Sequence, residues 1–152
     1  MNRTQAIAAA SFGSLALLLG AFAFQHLGGL PPCKMCIWQR YPHVIAVGIG
    51  LIALRLRSDL LILLGALAAF ATGAIGVYHA GVEQGWWQGP TSCSAGPVGG
   101  ISADELLDQI LSAPLVRCDE IAWQFAGISM AGWNALISFS LVAFWLMAFK
   151  RT

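Results

Sequence analysis

From Thr4 to Cys33 the chain carries no Asp, Glu, Lys or Arg, and residues 5–27 are apolar over a length that spans a membrane as a helix. A second apolar run, VIAVGIGLIAL at 44–54, is stopped by Arg55 and Arg57. A third extends from Leu60 to about Val82, and a fourth from about Ile128 to Phe149. The pattern predicts four spanning helices, at about 5–27, 37–54, 60–82 and 128–149. A short connection at 28–36 and a long one at 83–127 lie at one end of the bundle, with both termini at the other. No internal repeat and no low-complexity tract interrupts this order.

The second helix is the anomaly. Tyr41 to Leu54 is 14 residues, about 21 Å of helix at ~1.5 Å per residue, whereas a span needs about 20 residues. The helix is therefore expected to begin near residue 35, which draws Cys36 and Arg40 to the membrane boundary. Pro42 then falls near its start, where a missing donor costs least or kinks the helix.

Composition agrees with a membrane protein. Hydrophobic residues are 58% of the chain and charged residues 10%, against roughly 45–50% and 25% in soluble domains. A net charge of +1 without a basic stripe gives no footing for nucleic acid. The Ala21-Phe22-Ala23 triplet has signal-peptidase spacing, but the preceding apolar stretch is longer than such a signal requires, and it is read as a retained helix.

Charge sets the orientation. Arg3, Arg55, Arg57, Lys150 and Arg151 sit at helix ends on one side, while Lys34, Arg40, Arg117 and six of the seven acids fall on the other. The positive-inside rule then puts the termini in the cytoplasm and both connections outside. All four cysteines, Cys33, Cys36, Cys93 and Cys118, fall on that outer side, where disulfides persist.

The long connection opens Gly- and Pro-rich around Cys93, with Trp86 and Trp87 placed as interfacial anchors. Ser102 and Glu105 then have capping-box spacing ahead of a short helix, with Leu106, Leu107, Ile110 and Leu111 on one stripe and Pro114 at its end. A helix of this kind is expected to lie flat on the membrane surface. Cys93 and Cys118, 24 residues apart in the intervening count, are expected to form an exposed, mobile pair that a soluble partner can reach.

Cys33 and Cys36 form a CxxC at a helix start, where the helix dipole and a nearby cation favour thiolate. Arg40 is at i+4 from Cys36, on the same face, so Cys36 is the thiolate expected to form first. A zinc site is the competing use of CxxC. It would need two more ligands, and His26 and His43 have no metal-ligand spacing to it, so no metal is expected. Two dithiols at a membrane face suit two-electron thiol–disulfide exchange. The mobile pair would meet a soluble protein and the membrane-edge pair a lipid-soluble acceptor such as a quinone, which takes up two electrons and two protons.

The segment FQHLGGLPPCKMCIWQR (24–40) strongly resembles the DsbB family of inner-membrane thiol oxidoreductases. VYHAGVEQ (77–84) and CDEIAWQFAGISMAGWNALI (118–137) extend the likeness over nearly the whole chain. The resemblance implies a four-helix membrane bundle in the bacterial inner membrane that reoxidises a periplasmic DsbA-like thioredoxin-fold protein and delivers the electrons to ubiquinone or menaquinone. It implies that Cys93 forms the mixed disulfide and pairs with Cys118, and that Cys33–Cys36 passes electrons on, Cys36 lying beside the quinone. Arg40 matches the arginine that supports the quinone, and His79 a histidine near it. Gln39 stands where relatives can carry an acid. Two other readings compete: a quinone-linked oxidase with one dedicated client, and a non-enzymatic membrane scaffold or metal-binding protein with structural disulfides.

Overall fold

The computed structural model describes residues 1–56, 58–94, 100, 102–111 and 116–150. Arg57, Arg151 and Pro114, used above, lie outside the described residues. Among the described residues, four helices are long and apolar enough to cross a membrane: α1 (Arg3–His26), α2 (Lys34–Leu56), α3 (Asp59–Glu83) and α5 (Met130–Phe149). A short helix α4 (Ala103–Leu111) and a two-stranded hairpin, β1 (Gln124–Phe125) and β2 (Ile128–Ser129), belong to the long connection. The all-α membrane bundle expected from the sequence is the fold observed.

Helices α1, α4 and α5 start at side-chain caps, whereas Ser58 ahead of α3 makes no capping bond. Asn2 and Gln5 close a reciprocal capping box on α1, the Asn2 side chain accepting from the Gln5 amide at 2.8 Å. Ser102 and Glu105 do the same at α4, whose apolar side chains are all exposed rather than packed on the bundle. The hairpin turns through Ala126 and Gly127, both at positive φ, and pairs Phe125 with Ile128. Ile128 and Ser129 are therefore strand, and α5 begins only at Met130, with the Ser129 hydroxyl accepting from the Gly132 amide.

Helix α2 begins at Lys34, so Pro42 stands well inside it rather than near its start. A proline there weakens the preceding turn of the hydrogen-bond ladder. The Thr72 hydroxyl of α3 donates to the Gln39 carbonyl at 2.9 Å in that turn, tying α3 to this stretch of α2.

Small residues let the helices approach closely. A Cβ at Gly76 would lie 3.0 Å from the Ala131 carbonyl oxygen, and one at Gly65 would run into the Trp145 indole at 2.6 Å. One buried cluster, including Ile7, Ala53, Ile62 and Trp145, holds the end with the termini, where Arg3 and Asp59 also pair at 2.8 Å. A second, made of Cys33, Met35, Val82, Cys93 and Cys118, holds the other end. The bundle therefore carries its chemistry at one end and its apolar packing at the other.

Candidate active site

Cys33 precedes the first residue of α2, in the position of an N-cap. Its sulfur accepts from the Cys36 amide at 3.2 Å, as a capping side chain does. The two sulfurs lie 2.8 Å apart, and both cysteines are free. The hydrogen bond to Cys36, with burial added, holds the Cys33 thiol above the ordinary thiol range. Cys33 thus keeps its proton and donates it towards Cys36, at a helix N-terminus where negative charge is stabilised.

Cys93 and Cys118 form a disulfide with a Cα–Cα distance of 5.3 Å. The expectation of an exposed, mobile pair is corrected here: Cys93 is 1% and Cys118 0% exposed. The Pro90 carbonyl accepts from the Cys93 and Ser94 amides, and the Cys93 carbonyl accepts from the Cys118 amide at 2.6 Å. These bonds hold residues 90–94 against a floor that includes Val82 and Met35. Flexible composition does not prevent burial when a cross-link and an apolar floor are both available. The two cysteine pairs are consequently packed together in one cluster.

His79, on α3, lies beside the Cys33–Cys36 pair. Its Nε2 is 3.6 Å from Cys33 Sγ and 3.8 Å from Glu83 Oε1, and its Nδ1 is 2.9 Å from Gln39 Nε2. Gln39 Nε2 also donates to the Met35 carbonyl at 3.2 Å, and a carbonyl can only accept. The amide orientation is therefore fixed: Gln39 donates to Nδ1, and His79 carries its proton on Nε2, facing Cys33. Gln39 Oε1 in turn accepts from Asn134 Nδ2 at 2.7 Å, and Asn134 Oδ1 faces His43 Nε2 at 2.9 Å. A buried polar chain runs from Cys33 through His79, Gln39 and Asn134 to His43, crossing three helices.

Ligand atoms of Cys33, Cys36 and His79 lie within 4.8 Å of one another, which is metal-binding spacing. Zinc on His79 Nε2 would require the proton to move to Nδ1, where Gln39 already donates. The hydrogen bonding here favours a histidine that donates to sulfur over one that ligates a metal.

Arg40 reaches across to α1. Its guanidinium donates to Gln25 Oε1 at 2.6 Å and lies 5.0 Å above the Phe22 ring, both on α1. It does border, with Cys36, a cleft of about 430 Å³ between α1, α2 and α5. One wall is aromatic: Phe24 packs on Trp123 at 5.0 Å between ring centroids, Trp123 on Phe125 and Phe125 on Trp133. Sequence reasoning brought Cys33, Cys36, His79 and the Cys93–Cys118 pair to one end of the bundle. It missed Gln25, Glu83 and Asn134 as parts of the site and left Gln39 open. Single polar residues inside apolar runs were the available signal.

Two cysteine pairs packed together inside a membrane-length bundle can exchange disulfides with each other, and this defines the class: a multi-pass membrane oxidoreductase that generates disulfides. Comparison with known proteins agrees, for the family model described as disulfide bond formation protein DsbB matches residues 3–148. The chain belongs to the DsbB family. Among relatives, it is 36% identical to disulfide bond formation protein B of Pasteurella multocida, over 82% of this chain and 74% of that protein. Identity to disulfide bond formation protein B of Verminephrobacter eiseniae is 33%, over 93% of this chain and 82% of that one. An uncharacterized Rickettsia prowazekii protein, RP370, is 27% identical over 86% of this chain and 78% of its own length. No solved structure gives a significant match.

Proposed function

We propose that the protein reoxidises a periplasmic DsbA-like dithiol protein and passes the electrons to a membrane quinone, ubiquinone or menaquinone. It does so from the bacterial inner membrane, with its termini in the cytoplasm and its cysteines on the periplasmic side. The observation that carries this reading is that the buried Cys93–Cys118 disulfide packs against Cys33, while Cys36 borders the apolar cleft. One pair adjoins the connecting segments and the other adjoins the membrane interior.

The exchange steps balance along that line. A thiolate of the partner attacks Cys93, forming a mixed disulfide and releasing Cys118 as thiolate; the partner's second thiolate then attacks the partner sulfur of that mixed disulfide, forming the partner's own disulfide and releasing Cys93 as thiolate. Cys118 attacks Cys33 of an oxidised Cys33–Cys36 pair, and Cys36 departs as the thiolate facing the cleft; Cys93 then attacks Cys118 of the Cys118–Cys33 bond, re-forming the loop disulfide and releasing Cys33. The reduced Cys33–Cys36 pair then loses two electrons and two protons to the quinone. His79 Nε2–H serves the sulfur of Cys33 during these steps, and Arg40 supplies positive charge to the cleft. Aromatic walls, apolar sides and a donor at the rim suit a flat ring with polar oxygens.

The test is anaerobic mixing of the purified protein in micelles with a reduced thioredoxin-fold dithiol protein and a soluble benzoquinone, following quinone absorbance. Quinone loss that disappears in Cys33→Ser is expected. No loss with folded protein, or loss unaffected by that substitution, would overturn the reading.

A further inference from the structure

The polar chain ends in an unspent group. His43 is 3% exposed and borders the cleft, and its Nδ1 has no hydrogen-bond partner among the described residues. A buried polar atom without a partner is costly in a membrane interior, so one on a residue that lines a cavity points to a ligand. Cys36, Arg40 and His43 are spaced i, i+4 and i+7 and so share one face of α2. Arg40 and His43 are about 4.5 Å apart in axial rise.

The chemistry of this atom is set from the far end of the chain. The Met35 carbonyl fixes the Gln39 amide, which presents Oε1 to Asn134 Nδ2. Asn134 Nδ2 also approaches the Thr72 hydroxyl at 3.2 Å. Asn134 Oδ1 is then the atom facing His43, and the Ser138 hydroxyl donates to it as well at 3.4 Å. His43 must bring a proton to that oxygen on Nε2, and the neutral ring presents only a lone pair at Nδ1. Arg40 offers donors and His43 an acceptor, on the same face of one helix.

We propose that His43, oriented by Asn134, is a second polar subsite of the cleft that accepts a hydrogen bond from the hydroxyl of a bound hydroquinone and so favours the reduced over the oxidised form of the acceptor. This rests on the quinone reading above. Oxidation of the Cys33–Cys36 dithiol to a disulfide releases two electrons and two protons, and a benzoquinone that takes up both carries O–H on each ring oxygen. A quinone carbonyl has no proton to give His43, whereas the hydroquinone does. Preferential binding of the product shifts the equilibrium within the complex towards disulfide by the same factor as the preference in affinity.

The experiment titrates a short-chain benzoquinone and its hydroquinone, anaerobically and separately, into full-length protein carrying Cys33→Ala to block turnover. Quenching of the cleft tryptophans, Trp123 and Trp133, reports binding. His43→Leu is expected to weaken hydroquinone binding about fivefold, the worth of one net hydrogen bond, and to change quinone binding less than twofold. His43→Gln, which keeps an acceptor, is expected to recover part of the loss and controls for folding. Equal weakening of both ligands by His43→Leu, or no weakening of either, would overturn the inference. If the His43-intact protein binds neither ligand, the quinone reading itself fails.

Discussion

Gln39 Nε2 lies 2.9 Å from His79 Nδ1 and 3.2 Å from the Met35 carbonyl, and these two contacts decide which nitrogen of His79 carries the proton. A residue on one helix thereby sets the proton of a residue on another, 40 positions away in sequence. The sulfur of Cys33 receives a donor, and the chain continues in the other direction to Asn134.

Gln39→Leu removes the donor to His79 and the acceptor for Asn134 together. Each buried group left without its partner costs about 1–3 kcal/mol. We expect a lowered melting temperature by circular dichroism and a fall in kcat of roughly tenfold or more by ~1.4 kcal/mol per decade. KM for the thiol partner should stay within twofold, since the partners of Gln39 are His79, Met35 and Asn134 and not Cys93. A variant with normal kcat would show that the tautomer of His79 has no bearing on turnover.

Arg40→His shortens the side chain and removes the planar fork that reaches Gln25 and Phe22. A charged hydrogen bond is worth about 1.5–3 kcal/mol, so apparent quinone KM should rise by roughly ten- to a hundredfold. Partner KM should not change. Quinone kinetics equal to those of the unsubstituted protein would remove Arg40 from the cleft's function.

Cys33 has a raised thiol pKa because it donates to Cys36 and is buried. A raised pKa means less thiolate at any given pH, so alkylation of Cys33 should be slower than that of a model thiol at pH 8. Its rate should still be climbing at a pH where the model thiol has levelled off. Peptide mapping after timed treatment with iodoacetamide reads this, and an early plateau would contradict the hydrogen-bond assignment.

Val82 forms part of the floor beneath the Cys93–Cys118 disulfide. Val82→Ala leaves a cavity there and loosens the cover, at a cost of about 1 kcal/mol or more. Reduction of that disulfide by a small thiol should be accelerated about fivefold or more. An unchanged rate would mean that the segment opens without disturbing this cluster.

The helices were legible because each apolar run ends at charges, and the four-helix architecture follows from the length of those runs. Cys33, Cys36 and Arg40 were legible from spacing, and the capping box at Ser102 from its signature. Asn134 and His43 were not, because a single polar residue in an apolar helix does not say which neighbour it will meet. Their pairing depends on how α2 and α5 rotate about their axes, which the small residues on α3 and α5 control. The hairpin before α5 was missed because Ala126-Gly127 lacks the Asn or Asp that marks a two-residue turn. The burial of Cys93 and Cys118 was missed because Gly, Pro and Ser describe a chain's freedom and not the apolar floor it lands on.

In the proposed electron path Cys33–Cys36 adjoins the acceptor and Cys93–Cys118 lies upstream of it. Fully reduced protein should therefore be mixed anaerobically with one equivalent of a soluble benzoquinone, quenched in acid at intervals, and mapped for disulfides by mass spectrometry. Cys33–Cys36 is expected to oxidise first, with Cys93–Cys118 appearing afterwards at its expense. Oxidation of Cys93–Cys118 ahead of Cys33–Cys36, or at full rate in Cys36→Ser, would contradict that path.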